Sequence, residues 1–144
     1  MADLREEGFQ PAVLRSVIGN LPEMLAHDIH RTGEQAIYIE AEPQMGRYVQ
    51  VLMDRHGEFW VECVSNHFLA EEKKLDEAQE SKLVELGFFA PEEETSGHPN
   101  WWWNAEGITT SFEVARKMAR VLLEVFGLSP WHTVWIGRKI LQPS

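Results

Sequence analysis

Few residues in this chain are spaced to do covalent chemistry. His27 and His30 stand three apart, a two-ligand metal spacing on one helix face, with Glu34 close in sequence. That spacing defines no third ligand, and ordinary surface histidines account for it. Glu40 and Glu42 on one strand, and Glu58 and Glu62 around a neighbouring one, supply carboxylates that in pairs can move protons. Alternating strands also place such residues on their solvent side. Ser65, His67 and Asp54 are the residue types of a hydrolytic triad, but no nucleophile elbow surrounds Ser65. The sequence has no Gly-rich phosphate loop and no CxxC pair. It therefore assigns no catalytic residue, no metal and no cofactor.

Recognition is better supported. Trp101, Trp102 and Trp103 follow one another between Asn100 and Asn104, three of the chain's six tryptophans. In an extended segment Trp101 and Trp103 share one face and Trp102 points to the other. Both sides of such a strand need cover, from another layer, a second subunit or a bound chain. Tryptophan supplies large contact area at low entropy cost and is enriched in binding hot spots. Gln50 among apolar neighbours, and Asn66 after Ser65, offer amides. Either they bond a partner's main chain, or Asn66 satisfies backbone groups at a strand-to-helix turn. Phe88-Phe89 and the indoles suit a pure core as well as they suit a recognition surface. The candidate partner-binding set is Tyr48, Gln50, Trp60, Asn66, Phe88, Trp101 and Trp103.

These side chains need elements to hold them. Over residues 10–31 Leu14, Val17, Ile18, Leu21, Leu25 and Ile29 make one helical stripe. Pro22 divides it into two short helices, with Asn20 and Glu23 as cap and reciprocal carboxylate, or leaves one kinked helix. Strands are expected over 36–42, 47–54 and 59–65, joined by turns short enough for an antiparallel meander. A second helix covers 75–86, capped by Asp76 with Gln79 and stopped at Gly87. An acidic loop over 90–99 leads to the tryptophan strand, which ends near Glu106-Gly107. A third helix starts at a Thr110–Glu113 capping box, buries Val114, Ala115, Met118, Val121, Leu122 and Val125, and stops at Gly127. The expectation is an α+β two-layer sandwich, α-β-β-β-α-β-α, with an antiparallel sheet. Residues 1–130 form its one domain. Residues 131–144 are an aromatic tail, whose Trp131 and Trp135 pack on the domain, in its groove, or on a dimer partner.

Composition narrows the partners. Of 144 residues, 44% are hydrophobic and 25% charged, as in an ordinary globular domain. The net charge of −10 argues against nucleic acid, which needs a basic patch. The acids concentrate over 62–94, where ten face three basic residues; this is a solvated surface or a guide for a basic partner. No apolar run spans a bilayer, and the first ten residues lack an apolar secretion core. One cysteine, Cys63, forms no internal disulfide and reads as a small apolar strand residue. The expected location is the cytoplasm.

One resemblance emerges from Tyr48-Val49-Gln50, Glu62 with Val64-Ser65-Asn66, the run LVELGF from Leu83 to Phe88, Pro91, Asn100-Trp101, Ala115 and Val125-Phe126-Gly127. In that order they resemble a group of actinobacterial peptide-binding, chaperone-like domains related to type III secretion chaperones and to YbjN proteins, over roughly residues 12–130. The resemblance implies an α/β sandwich and a non-enzymatic role. Such a protein holds an extended or amphipathic segment of a partner, often as a homodimer. The triple tryptophan and the long aromatic stretch after Gly127 depart from the family pattern. Two other roles suit the same residues: an immunity or adaptor protein that blocks one dedicated basic partner, and a small apolar ligand-binding domain.

Overall fold

In the computed structural model, residues 10–28, 34–41, 46–53, 58–92, 98–104 and 111–142 are described. The elements run β1 (Gln10–Val13), α1 (Leu14–Asp28), β2 (Glu34–Glu40), β3 (Tyr48–Met53), β4 (Phe59–Cys63), α2 (Glu77–Glu85), β5 (Trp101–Asn104), α3 (Ser111–Arg120) and β6 (Thr133–Gln142). A π turn over Val121–Val125 prolongs α3, and short 3-10 turns at Asn66–Phe68 and Glu71–Lys73 join β4 to α2. The six strands form one antiparallel sheet in the order β1-β6-β2-β3-β4-β5.

The expected α+β class and β2-β3-β4 meander are present. Two strands were not anticipated. The first four residues of the presumed helix are strand, and α1 then runs unbroken through Pro22. The presumed tail is the longest strand in the sheet, inserted between β1 and β2. The physical reason is long-range pairing. QPAV is too short to declare itself a strand, and β1 exists because it lies against β6. His132 anchors the entry to β6. Its carbonyl accepts from Leu14 N at 2.9 Å, and its ring lies 3.2 Å from the Ala41 carbonyl.

The layers follow from period-two alternation. Ile37 and Ile39 on β2, Val49, Val51 and Met53 on β3, Phe59, Val61 and Cys63 on β4, and Val134 on β6 point to one side and are buried. The helices lie on that side. Leu14, Val17, Leu21 and Leu25 of α1 meet Val114, Met118, Val121, Leu122 and Val125 of α3 and its π turn in the same core. A fully buried aliphatic side chain of this kind contributes about 1.5–3 kcal/mol.

Local signals that could be read held where described. Asp76 accepts from Gln79 N at 2.8 Å while Gln79 Oε1 accepts from Asp76 N at 2.9 Å, the reciprocal cap of α2. Gly87 ends α2 at φ +95° and Gly127 follows the π turn at φ +70°, conformations that favour glycine. Thr110, of the expected α3 capping box, lies outside the described residues, as do Glu106 and Gly107.

Candidate functional site

All described helices lie on one side of the sheet, so its other face has no helix over it among the described residues. Alternation assigns Tyr38 and Glu40 of β2, Tyr48, Gln50 and Leu52 of β3, Trp60 and Glu62 of β4, Trp102 and Asn104 of β5, and Trp135 of β6 to this open face. Most are half-buried, each sheltered by its cross-strand neighbours.

Aromatic rings dominate that face. Tyr38 and Tyr48 stack at 4.8 Å. Trp60 lies 5.7 Å from Trp102, and the His98 ring stacks on Trp102 at 4.3 Å and on Trp60 at 5.5 Å. Phe89, which is 56% exposed, sits 4.6 Å from Trp102 on the sheet's edge. It is held there by paired main-chain hydrogen bonds with Trp102 of 2.8 and 3.1 Å. A polar line runs between the rings. Gln50 Nε2 donates to Glu62 Oε1 at 2.9 Å, and Tyr38 donates its hydroxyl proton to Glu40 at 3.2 Å. The Tyr48 hydroxyl accepts from Asn100 Nδ2 at 3.1 Å. Burial raises the Tyr48 pKa, the Asn100 hydrogen bond opposes the rise, and Glu62, Cys63 and Glu40 add to it.

The sequence-derived set therefore divides. Tyr48, Gln50 and Trp60 share the open face. Trp101 is only 5% exposed and Phe88 4%, both within the core beneath the sheet. Trp103 faces the helices, half-buried, with Lys117 Nζ 4.6 Å from its ring centre. Lys117 also donates to the Leu86 carbonyl at the end of α2, and burial, with Arg120 nearby, lowers its pKa. Asn66 occupies the turn after β4. Its Oδ1 accepts from Leu75 N at 2.7 Å and its Nδ2 donates to Leu75 O at 3.1 Å, so its amide closes the approach to α2. Trp102, absent from the set, is the member of the tryptophan triplet on the open face. The alternation of β5 put Trp102 opposite to Trp101 and Trp103. Only the β4 register, with Trp102 across from Glu62 and Trp101 across from Cys63, shows which face is core.

Of the residues considered for catalysis, Ser65 and His67 share one turn. Ser65 donates its hydroxyl proton to the Pro99 carbonyl at 2.7 Å and accepts from His67 N at 3.3 Å, a turn-building role. His30, Glu42 and Asp54 lie outside the described residues, and with them the His27–His30 spacing. Cys63 is fully buried, and burial pushes its thiol pKa well up, as its reading as an apolar strand residue requires.

Of the acidic stretch, Glu62 lies on the open face and the acids of α2 do not. Helix α2 packs on the helical side, where Gln79 Nε2 donates to Val125 O at 2.8 Å. Part of its charge is matched internally. Lys82 lies 3.4 Å from both Glu85 and Glu124, and Lys74 pairs with Glu71 at 3.0 Å. Hydrogen bonding from Arg120 holds the Glu124 carboxyl at about 2. A separate groove of about 350 Å³ runs between α1 and the β1–β6 end of the sheet, lined by Ala12, Val17, Met24 and Ile136.

The described elements make a one-sided α+β sandwich whose aromatic sheet face carries no helix among the described residues. The chain belongs to the family of T3SS (YopN, CesT) and YbjN peptide-binding chaperones, group 3, whose family model matches residues 12–132. The match thus begins in β1 and stops one residue before β6. No curated protein and no solved structure matches the chain.

Proposed function

We propose that this protein is a non-catalytic, chaperone-like binding protein that holds an extended or amphipathic segment of a partner protein against the open face of its sheet. The observation that carries the reading is the aromatic face itself, Tyr38, Tyr48, Trp60 and Trp102, left without a helical layer among the described residues. Membership of a peptide-binding chaperone family supports it. Tyr48, Gln50, Trp60 and Trp102 make the contacts; Trp101 and Phe88 hold the strands from the core side; Asn66 braces the turn. Glu62 favours a basic segment, delivered in the cytoplasm.

Capture by edge pairing is weaker at the β1 side. Leu14 N–H points to β6, so by alternation the outward main-chain groups of β1 belong to Pro11 and Val13, and proline has no N–H to offer. Homodimerisation through the same face would compete with partner binding, so the partner-bound species is a protomer with its face occupied.

The test is capture from native lysate followed by hydrogen–deuterium exchange on the isolated complex. The expected result is protection of β3, β4 and β5, with capture lost in a Trp60→Ala, Trp102→Ala variant that keeps its fold. Protection confined to α1 and β1, or unchanged capture by the variant, overturns the reading. A small molecule released from the α1–β1 groove favours the ligand-binding alternative, since that groove has the size of a small-molecule site. A single tight, salt-sensitive complex marks a dedicated adaptor.

A further inference from the structure

The β4–β5 end of the open face holds three polar atoms that are shut off from solvent and have no hydrogen-bond partner among the described residues: Trp102 Nε1, Asn104 Oδ1 and His98 Nδ1. They are neighbours. His98 stacks on Trp102, and Asn104 lies directly across the ladder from Trp60, two residues beyond Trp102 on the same face. Folded chains pair nearly all such atoms, so three together call for an explanation.

Glu62 is the second observation. It lies directly across from Trp102 and receives one hydrogen bond, from Gln50. No Lys, Arg or His pairs with it among the described residues. An ionised carboxylate has capacity for further donors.

One chemical group meets the demands of Glu62 and Asn104 together. A guanidinium is planar and stacks on an indole, carries a positive charge, and presents five N–H donors in a fixed fork. The fork suits the Glu62 carboxylate, and a further N–H suits Asn104 Oδ1. The indole N–H of Trp102 is itself a donor and needs an acceptor, which a main-chain carbonyl of an extended segment provides. An ammonium carries the charge without the flat face, and a carboxylate is repelled by Glu62.

We propose that Trp60, Glu62, Trp102 and Asn104 form a seat for one arginine side chain of the partner segment. The proposal rests on the open-face reading above and names the chemistry that the face selects. In the free protein the His98 ring occupies the stacking surface of Trp102. That ring makes no side-chain hydrogen bond among the described residues, so its displacement gives up ring contacts alone and uncovers the unpaired atoms.

The test uses the full chain and N-acetyl-arginine methylamide as probe, with the lysine and citrulline equivalents as controls. Indole N–H resonances are followed by NMR, Trp102→Phe identifying the relevant peak. The expected result is a saturable shift of the Trp102 indole N–H with the arginine probe, with about fivefold or weaker affinity for the controls, given a charge-assisted contact discounted for partial exposure. Glu62→Gln weakens the arginine probe by a similar factor with an unchanged thermal midpoint; if that variant does not fold, Asn104→Ala is read in its place. Equal shifts with all three probes, no shift at saturating probe, or a Glu62→Gln protein that binds arginine as before overturns the seat. A partner segment that still perturbs β3 and β4 amides in Glu62→Gln leaves the open-face reading standing while the arginine seat falls; a segment that perturbs neither overturns both.

Discussion

Trp101 and Trp102 are adjacent in sequence yet face opposite sides of β5, so truncating each to alanine should have opposite consequences. Trp101 is buried, and emptying that volume costs about 3–5 kcal/mol. Its indole N–H has no partner among the described residues, so removing it offsets about 1–3 kcal/mol. The net expectation is a loss of about 2 kcal/mol, which for a domain of this size lowers the thermal midpoint by roughly 4–8 °C. Trp102→Ala gives up ring contacts with His98, Phe89 and Trp60, about 0.5–1.5 kcal/mol each, and also removes an unpaired N–H. Its net cost is about 1 kcal/mol or less, while partner capture is abolished. Thermal unfolding followed by circular dichroism, beside the capture assay, reads both effects. A Trp102→Ala protein that loses more stability than Trp101→Ala, or a Trp101→Ala protein that keeps its stability but loses capture, would refute the assignment of faces.

Three further outcomes are expected. Asn66→Ala leaves the Leu75 N–H and C=O without their 2.7 and 3.1 Å partners, and the urea midpoint should fall by the equivalent of about 1–3 kcal/mol with an unchanged m-value. Cys63, fully buried with a raised thiol pKa, should react with a thiol reagent no faster than the chain unfolds; rapid labelling in native buffer would contradict its place in β4. Tyr48, its pKa raised above 10.0 chiefly by burial, favours the neutral phenol when folded. Its contribution to stability is thus complete below pH 10 and is lost as pH rises through the folded value. Absorbance at 295 nm should show a late-ionising tyrosine in the folded protein that Tyr48→Phe removes.

The meander, the α2 cap and the helix ends were legible because each is a short-range device. Asp76 and Gln79 are three residues apart, and alternation over YVQVLM needs no distant information. The candidate site was half legible. Tyr48, Gln50 and Trp60 lie on the open face and Trp101 and Phe88 in the core, while the half-buried Trp102 shares the open face. A strand with an indole on each face does not say which face is inward. That depends on the strand beside it, and the register of Trp101 against Cys63, which stands far earlier in the chain, is a tertiary fact, not a local one.

What the chain alone determined was its acidic character, the alternating meander, the amphipathic helices and a concentration of indoles suited to recognition. Only the folded sheet decided that residues 133–142 form a strand between β1 and β2, that the acidic helix stands on the helical side, and that Glu62 meets Trp102 on the other. Local rules act through neighbouring residues, whereas these outcomes depend on pairings between segments far apart in sequence, whose free energy appears only when both are in place.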